Sequence, residues 1–175
     1  MSYERHNIKS VSKDLQKFVI NTPVLRFDII DSLCNCNVFF KCENFQHTGS
    51  FKYRAAINAI KKMPVEFKQT GVITHSSGNF AHALARAAYE LKIPCHIVMP
   101  NNTPNFKKSS VLSYTKNVIE CESNLKAREF TTSEILKNKN LYFIHPSNNM
   151  DVILGNSSCA PVSYTHLRAH ETGYN

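Results

Sequence analysis

A chain of 175 residues with 42% hydrophobic and 10% aromatic content is long enough to bury a sizeable core and has the composition of an ordinary globular protein. Its net charge of +8 lies on dispersed lysines, with small clusters only at Lys61-Lys62 and Lys107-Lys108; with no interleaved aromatics, these read as solvated helix faces with a weak pull on anions, not as a nucleic-acid groove. No run is long and apolar enough to cross a membrane, and Met1 to His6 lacks the apolar core of a signal peptide, so the expected compartment is the cytoplasm.

In chain order, residues 12 to 20 read as a short helix with Leu15, Phe18 and Val19 on one side, ended by Asn21-Thr22-Pro23. Cys34, Cys36 and Cys42 do not have a zinc spacing, and neither a metal nor a disulfide is expected from the six cysteines. Asn37 to Cys42 reads as a strand. Residues 51 to 62 predict a helix with Ala56, Ala59, Ile60 and Met63 on one stripe, stopped by Pro64.

A regular alternation of strand and helix follows. Strands are expected at Gly71 to His75, Cys95 to Met99, Val118 to Cys121 and Leu141 to Ile144. Helices are expected at Asn79 to Leu91, from Pro104 to about Tyr114, and at Asn124 to Lys137. Cys42 and Cys95 then fall in strand-like runs, as buried small hydrophobes. Four strands joined by three helices imply a small parallel sheet covered on its faces. Residues 161 to 175 have no clear period and resemble misread vector or primer sequence.

Two stretches carry chemistry. In Thr48-Gly49-Ser50-Phe51-Lys52-Tyr53-Arg54-Ala55-Ala56, turn and cap residues place Lys52 in the first turn of a helix. The positive end of the helix dipole and some desolvation there favour a neutral amine, the form that condenses with an aldehyde cofactor. A lone lysine in such a place is more often a solvated surface group. The second stretch is Ser76-Ser77-Gly78-Asn79, directly after the strand ending at His75. A strand, a Gly-containing loop and a helix start form an anion-binding arrangement suited to a carboxylate or phosphate. The plain alternative is a helix cap.

Taken together, Phe40-Lys41-Cys42-Glu43-Asn44-Phe45-Gln46-His47-Thr48-Gly49-Ser50-Phe51-Lys52-Tyr53-Arg54-Ala55-Ala56 resembles the lysine motif of α/β pyridoxal-phosphate enzymes of the tryptophan synthase β-like fold (fold type II). Within that fold it is most similar to the serine racemase and serine/threonine dehydratase group. Thr74-His75-Ser76-Ser77-Gly78-Asn79 resembles the substrate loop of that group. Thr22-Pro23-Val24-Leu25, His145-Pro146 and Asp151-Val152-Ile153-Leu154-Gly155 follow its pattern too, so the resemblance runs over about residues 7 to 157.

The resemblance implies that Lys52 holds pyridoxal 5'-phosphate as a Schiff base, with Phe51 beside the cofactor ring and Asn79 on the phenolic oxygen. Ser76, Ser77, Gly78 and Asn79 would bind the substrate carboxylate. Ser77 is the candidate proton donor on the face opposite Lys52, or else a plain carboxylate ligand. Asn148 is a substitute for the Asn that the family carries where Ser147 stands. No metal ligand is assigned in this chain. The implied reactions are L-serine to D-serine and β-elimination to pyruvate and ammonia; the alternatives are threonine to 2-oxobutanoate and ammonia, or a non-catalytic truncated binding product.

Some positions depart from the pattern. Ala55 stands for Gly, Tyr53 for Ile or Leu, and Phe80 for His. The family's phosphate-cradling Gly-rich loop, its serine facing the pyridine nitrogen and its divalent-cation (Mg or Ca) site come later in sequence; this chain has five glycines and no such run. The expected organisation is residues 1–67 as the first part of the large cofactor domain, 68–147 as the small parallel domain, 148–160 as the return to the large domain, and 161–175 as a non-native tail. The expectation is an N-terminal half of an enzyme that is a homodimer when complete.

Overall fold

The computed structural model describes residues 5–161. The expected tail, apart from Pro161, lies outside the described residues. The chain opens with helix α1 (Arg5–Leu15), a two-residue strand β1 (Val24–Leu25), helix α2 (Asp28–Cys34) and strand β2 (Phe40–Lys41). Strands β1 and β2 pair antiparallel, with Val24 opposite Lys41 and Leu25 opposite Phe40.

Short 3-10 turns at Glu43–Phe45 and His47–Gly49 lead into helix α3 (Lys52–Lys62), followed by a single turn α4 (Phe67–Thr70). The alternating region then runs β3 (Val72–His75), α5 (Asn79–Glu90), β4 (Cys95–Pro100), α6 (Asn105–Leu112), β5 (Asn117–Cys121), α7 (Leu125–Asn138) and β6 (Tyr142–Phe143). Helix α8 (Met150–Ser157) closes the described chain.

The four-stranded sheet has the order β5-β4-β3-β6 and is parallel throughout, as the alternation predicts. Its two central strands alternate cores as a pleated strand must. Val72 and Ile97 join a large core with α3 and α5, whereas Ile73 and Val98 pack with Leu141 and the α7 side chains Ile135 and Leu136. Helix α3 lies along both α5 and α8.

The opening of the chain differs from its sequence reading. The first helix spans Arg5–Leu15, not the expected residues 12 to 20, and Val11 and Leu15 are the residues it sends into the core. Phe18 and Val19 pack against that core from a turn. The expected strand at residues 37–42 contracts to Phe40–Lys41, leaving Cys42 half-buried outside it. None of the cysteines is joined in a disulfide among the described residues. Helix α2 was not expected: its seven residues bury no side chain, so no apolar stripe announces it.

Candidate active site

The strand order places a topological switch point between β3 and β6, since the chain leaves β3 towards β4 and returns to the other side of β3. In parallel α/β sheets, ligands bind outside the carboxyl ends of the strands at such a point. Here the segments leaving it are Ser76-Ser77-Gly78 from β3 and His145-Pro146-Ser147-Asn148 from β6. Their adjacency is visible in the rings of His75 and His145, which meet edge-on at 5.3 Å.

The β3 loop is open to a ligand. Ser76, Ser77 and Gly78 are partly buried and Asn79 is exposed. The N-cap of α5 is Gly78, and no side chain caps it. The cap alternative therefore fails: the serines and Asn79 do not close the helix, although the Ser76 hydroxyl accepts a long 3.4 Å bond from the Gly78 N–H. By contrast, Asn124 and Asn149 do cap α7 and α8, accepting from the N–H of Ala127 and Val152. The first N–H groups of α5 remain as donors at the positive end of its dipole. Among the described residues, the Ser77 hydroxyl and the Asn79 amide enter no hydrogen bond.

The β6 loop is held by one imidazole. His145 Nδ1 accepts from the backbone N–H of Ser147 at 3.2 Å and of Asn148 at 2.8 Å. The Ser147 hydroxyl also lies 3.4 Å from this nitrogen, and Ser147 and Asn148 are both exposed. Phe80, by contrast, faces away from that role: it is 3% exposed and belongs to the main core.

Lys52 is the first residue of α3. The turn before it is unusual, with Thr48 at φ 61 and Gly49 at φ 70. Positive φ suits Gly49, while Thr48 is forced into it by its surroundings. Thr48 and Ser50 make the turn, as expected, but not the cap. The N-cap is Phe51, without a side-chain bond, and the hydroxyls of Thr48 and Ser50 are buried and unpaired. Lys52 is partly buried, and that burial lowers its ammonium below the ordinary lysine range. Its Nζ lies 4.9 Å from the centroid of the Phe51 ring, which is 40% exposed. No hydrogen bond joins Lys52 to the Ser76–Asn79 loop among the described residues; the two are brought into one body by α3 packing on α5.

A buried network fixes the turn that carries Lys52. Arg54, 2% exposed, grips Glu43 with two bonds of 2.8 Å. Thr22 donates to the same carboxylate at 2.6 Å, and Lys41 donates to the Thr22 carbonyl at 2.6 Å. Gln46 exchanges two bonds with the backbone of Ile20, at 3.0 and 2.9 Å. Sequence reasoning missed these roles. The only available signal was the presence of paired charges, Glu43 and Arg54, flanking the lysine.

The residues present fit an aldehyde-bearing anionic cofactor: a partly buried amine, uncapped helix N–H donors and unpaired buried hydroxyls in the turn that leads to the lysine. Among the described residues, no group of three or more His, Cys, Asp or Glu could hold a metal ion, and no helix is long and apolar enough to cross a membrane.

Comparison with known proteins agrees with this chemistry. The chain is 38% identical over 154 residues to the serine racemase of Dictyostelium discoideum, covering 88% of this chain and 48% of that protein. It is 39% identical over 146 residues to the beta-hydroxyaspartate dehydratase of Paracoccus denitrificans, covering 83% of this chain and 46% of that protein. The structure of maize serine racemase superposes with a TM-score of 0.91 at 33% identity, over 96% of this chain and 51% of that one. The chain thus spans about half the length of the relatives it matches. The family model described as pyridoxal-phosphate dependent enzyme matches residues 15–164, and with the lysine turn and the open switch-point loop in place, the chain belongs to that family of fold-type II enzymes.

Proposed function

We propose that this chain is the lysine-bearing half of a serine racemase/dehydratase, which converts L-serine to D-serine and also eliminates its hydroxyl to give pyruvate and ammonia. The observation that carries the reading is the uncapped Ser76–Asn79 loop at the switch point, at the start of the helix against which the helix of half-buried Lys52 packs. Bound there, pyridoxal phosphate supplies the electron sink for a carbanion at the substrate Cα.

Lys52 supplies the amine that holds the cofactor aldehyde. Freed when substrate binds, this amine would take the Cα proton, and its partial burial favours the neutral, basic form. Phe51 would pack beside the cofactor ring, and the Asn79 amide would be a donor to it. Ser76, the Gly78 loop and the first N–H groups of α5 hold the substrate carboxylate, with Asn148 from the β6 loop as a further donor. Ser77 returns a proton on the face opposite Lys52.

Loss of the β-hydroxyl before that return gives elimination instead of inversion. The similarity to a dehydratase favours this second outcome as a real branch of the same site. Threonine as the substrate is the competing assignment. A divalent cation and a homodimeric assembly belong, in this reading, to the full-length enzyme.

Borohydride treatment of the chain with pyridoxal phosphate, followed by peptide mass analysis, tests the cofactor site. The expected result is one reduced adduct on the Lys52 peptide, absent in Lys52→Ala. Equal labelling of the surface lysines overturns the assignment. In a version carrying the remaining half, Ser77→Ala should lower D-serine formation about a hundredfold more than pyruvate formation. Equal loss of both products rules out Ser77 as the proton donor.

A further inference from the structure

Tyr53 stands next to Lys52, and the structure gives it a role that the sequence pattern did not suggest. It is 0% exposed in the first turn of α3. Its hydroxyl donates to Glu90 Oε2, at the last residue of α5. The other oxygen of Glu90 accepts from Arg86 Nε at 2.8 Å, one turn earlier on α5. The Arg86 guanidinium lies 5.8 Å from the centroid of the Tyr53 ring.

A third element closes on the same ring. The His47 imidazole meets it edge-on at 4.8 Å. His47 opens the turn His47–Gly49, whose positive-φ residues lead directly into Phe51 and Lys52. Tyr53 is therefore held from before Lys52 by His47 and from across the helix interface by Glu90. The charged and titratable groups facing this cluster are His47 on the turn, His82, Arg86 and Glu90 on α5, and Tyr114 after α6. The resembled pattern has an aliphatic side chain at this position, which cannot make the bond to Glu90.

We propose that Tyr53 is a positioning residue for Lys52: its hydroxyl, bound to Glu90, and its ring, set against His47, fix the first turn of α3 on α5 and so hold the lysine amine in its half-buried place. The inference rests on Lys52 being the cofactor lysine. The Tyr53 ring is buried, and its partner carboxylate, though at the surface, is also bonded by Arg86, so the turn on either side of Lys52 is tied at both ends. Loosening it lets the amine reach water, and hydration restores an ordinary lysine affinity for protons.

The test is competitive labelling of Lys52 by trace acetic anhydride across pH, read by mass analysis of its peptide, on the chain without cofactor. The wild-type midpoint is expected below about 10.4. In Tyr53→Phe and in Glu90→Ala it should rise by about half a pH unit or more. Glu90→Gln keeps a hydrogen-bonding partner for the phenol and should stay at the wild-type midpoint. Removing the Glu90 charge and freeing Arg86 both favour a neutral Lys52, so a rise cannot come from lost charge.

Unchanged midpoints in folded Tyr53→Phe and Glu90→Ala, with only the melting temperature lowered, overturn the proposal. So does a shift in Glu90→Gln as large as in Glu90→Ala. If Tyr53→Phe fails to fold, the two Glu90 variants decide. Failure of pyridoxal phosphate to trap on wild-type Lys52 refutes the cofactor assignment instead, whatever these midpoints do.

Discussion

The pair Glu43 and Arg54 shows how much of a site is held by residues that do no chemistry. Burial by itself would raise the Glu43 carboxyl, but hydrogen bonds from Arg54 and Thr22 and the Arg54 charge outweigh it and hold the carboxyl below the ordinary glutamate range. A lowered folded-state value adds stability above the unfolded value, about 4.3, and loses it as pH falls through the folded value. Arg54→Met leaves Glu43 partly buried with only Thr22 and should cost about 3 kcal/mol at neutral pH. Urea midpoints at neutral and acid pH check this: the penalty should shrink in acid, where the carboxylate is protonated in both forms. The sequence displayed Lys52, Ser76, Ser77, Gly78 and Asn79 because their spacing around a strand end and a helix start is local. It did not display Tyr53–Glu90 or Arg54–Glu43 as bonds, because partners 37 and 11 residues apart meet only after folding.

Helix packing is set by small residues where two backbones approach. A Cβ added at Gly155 in α8 would lie 2.6 Å from Ala55 Cα and 2.6 Å from the Arg54 carbonyl in α3. Backbone atoms cannot yield cheaply, so Gly155→Ala should destabilise by about 2 kcal/mol, seen as a lower urea midpoint. Gly78 is the contrast: a Cβ there meets nothing within 4 Å, and its φ of −120 suits any residue. Gly78→Ala should change stability by less than about 0.5 kcal/mol, yet a methyl group in the loop should weaken trapping of pyridoxal phosphate on Lys52. The strands and helices from β3 to β6 were legible because each is an apolar run or stripe bounded by a turn residue. Helix α2 was not, since Ile29 and Leu33 are 72% and 78% exposed and contribute no stripe to the core.

Across the whole molecule, the exposed side chains of Leu25, Phe27, Ile29, Leu33 and Phe40 fall on β1, α2 and β2 or the residue between them. A two-stranded sheet is marginal by itself, and so large an apolar surface favours association. Charging it with Ile29→Lys and Leu33→Glu together should reduce hydrophobic-dye binding and aggregation, with stability changed by less than about 0.5 kcal/mol. An unaltered dye signal would place the sticky surface elsewhere. The sequence by itself determined the parallel α/β alternation and the placing of Lys52 and Ser76 to Asn79 at helix starts, because each depends on spacing within one turn or one strand-to-helix junction. Tertiary structure alone decided the rest. The order β5-β4-β3-β6 brought the Ser76 and His145 loops to one switch point. Folding also showed that α5 begins without a side-chain cap, and that Tyr53 and Arg54 anchor the lysine turn to distant elements. Which donors stay free, and which charges find partners, depends on what packs across a helix or sheet, and no local pattern encodes that.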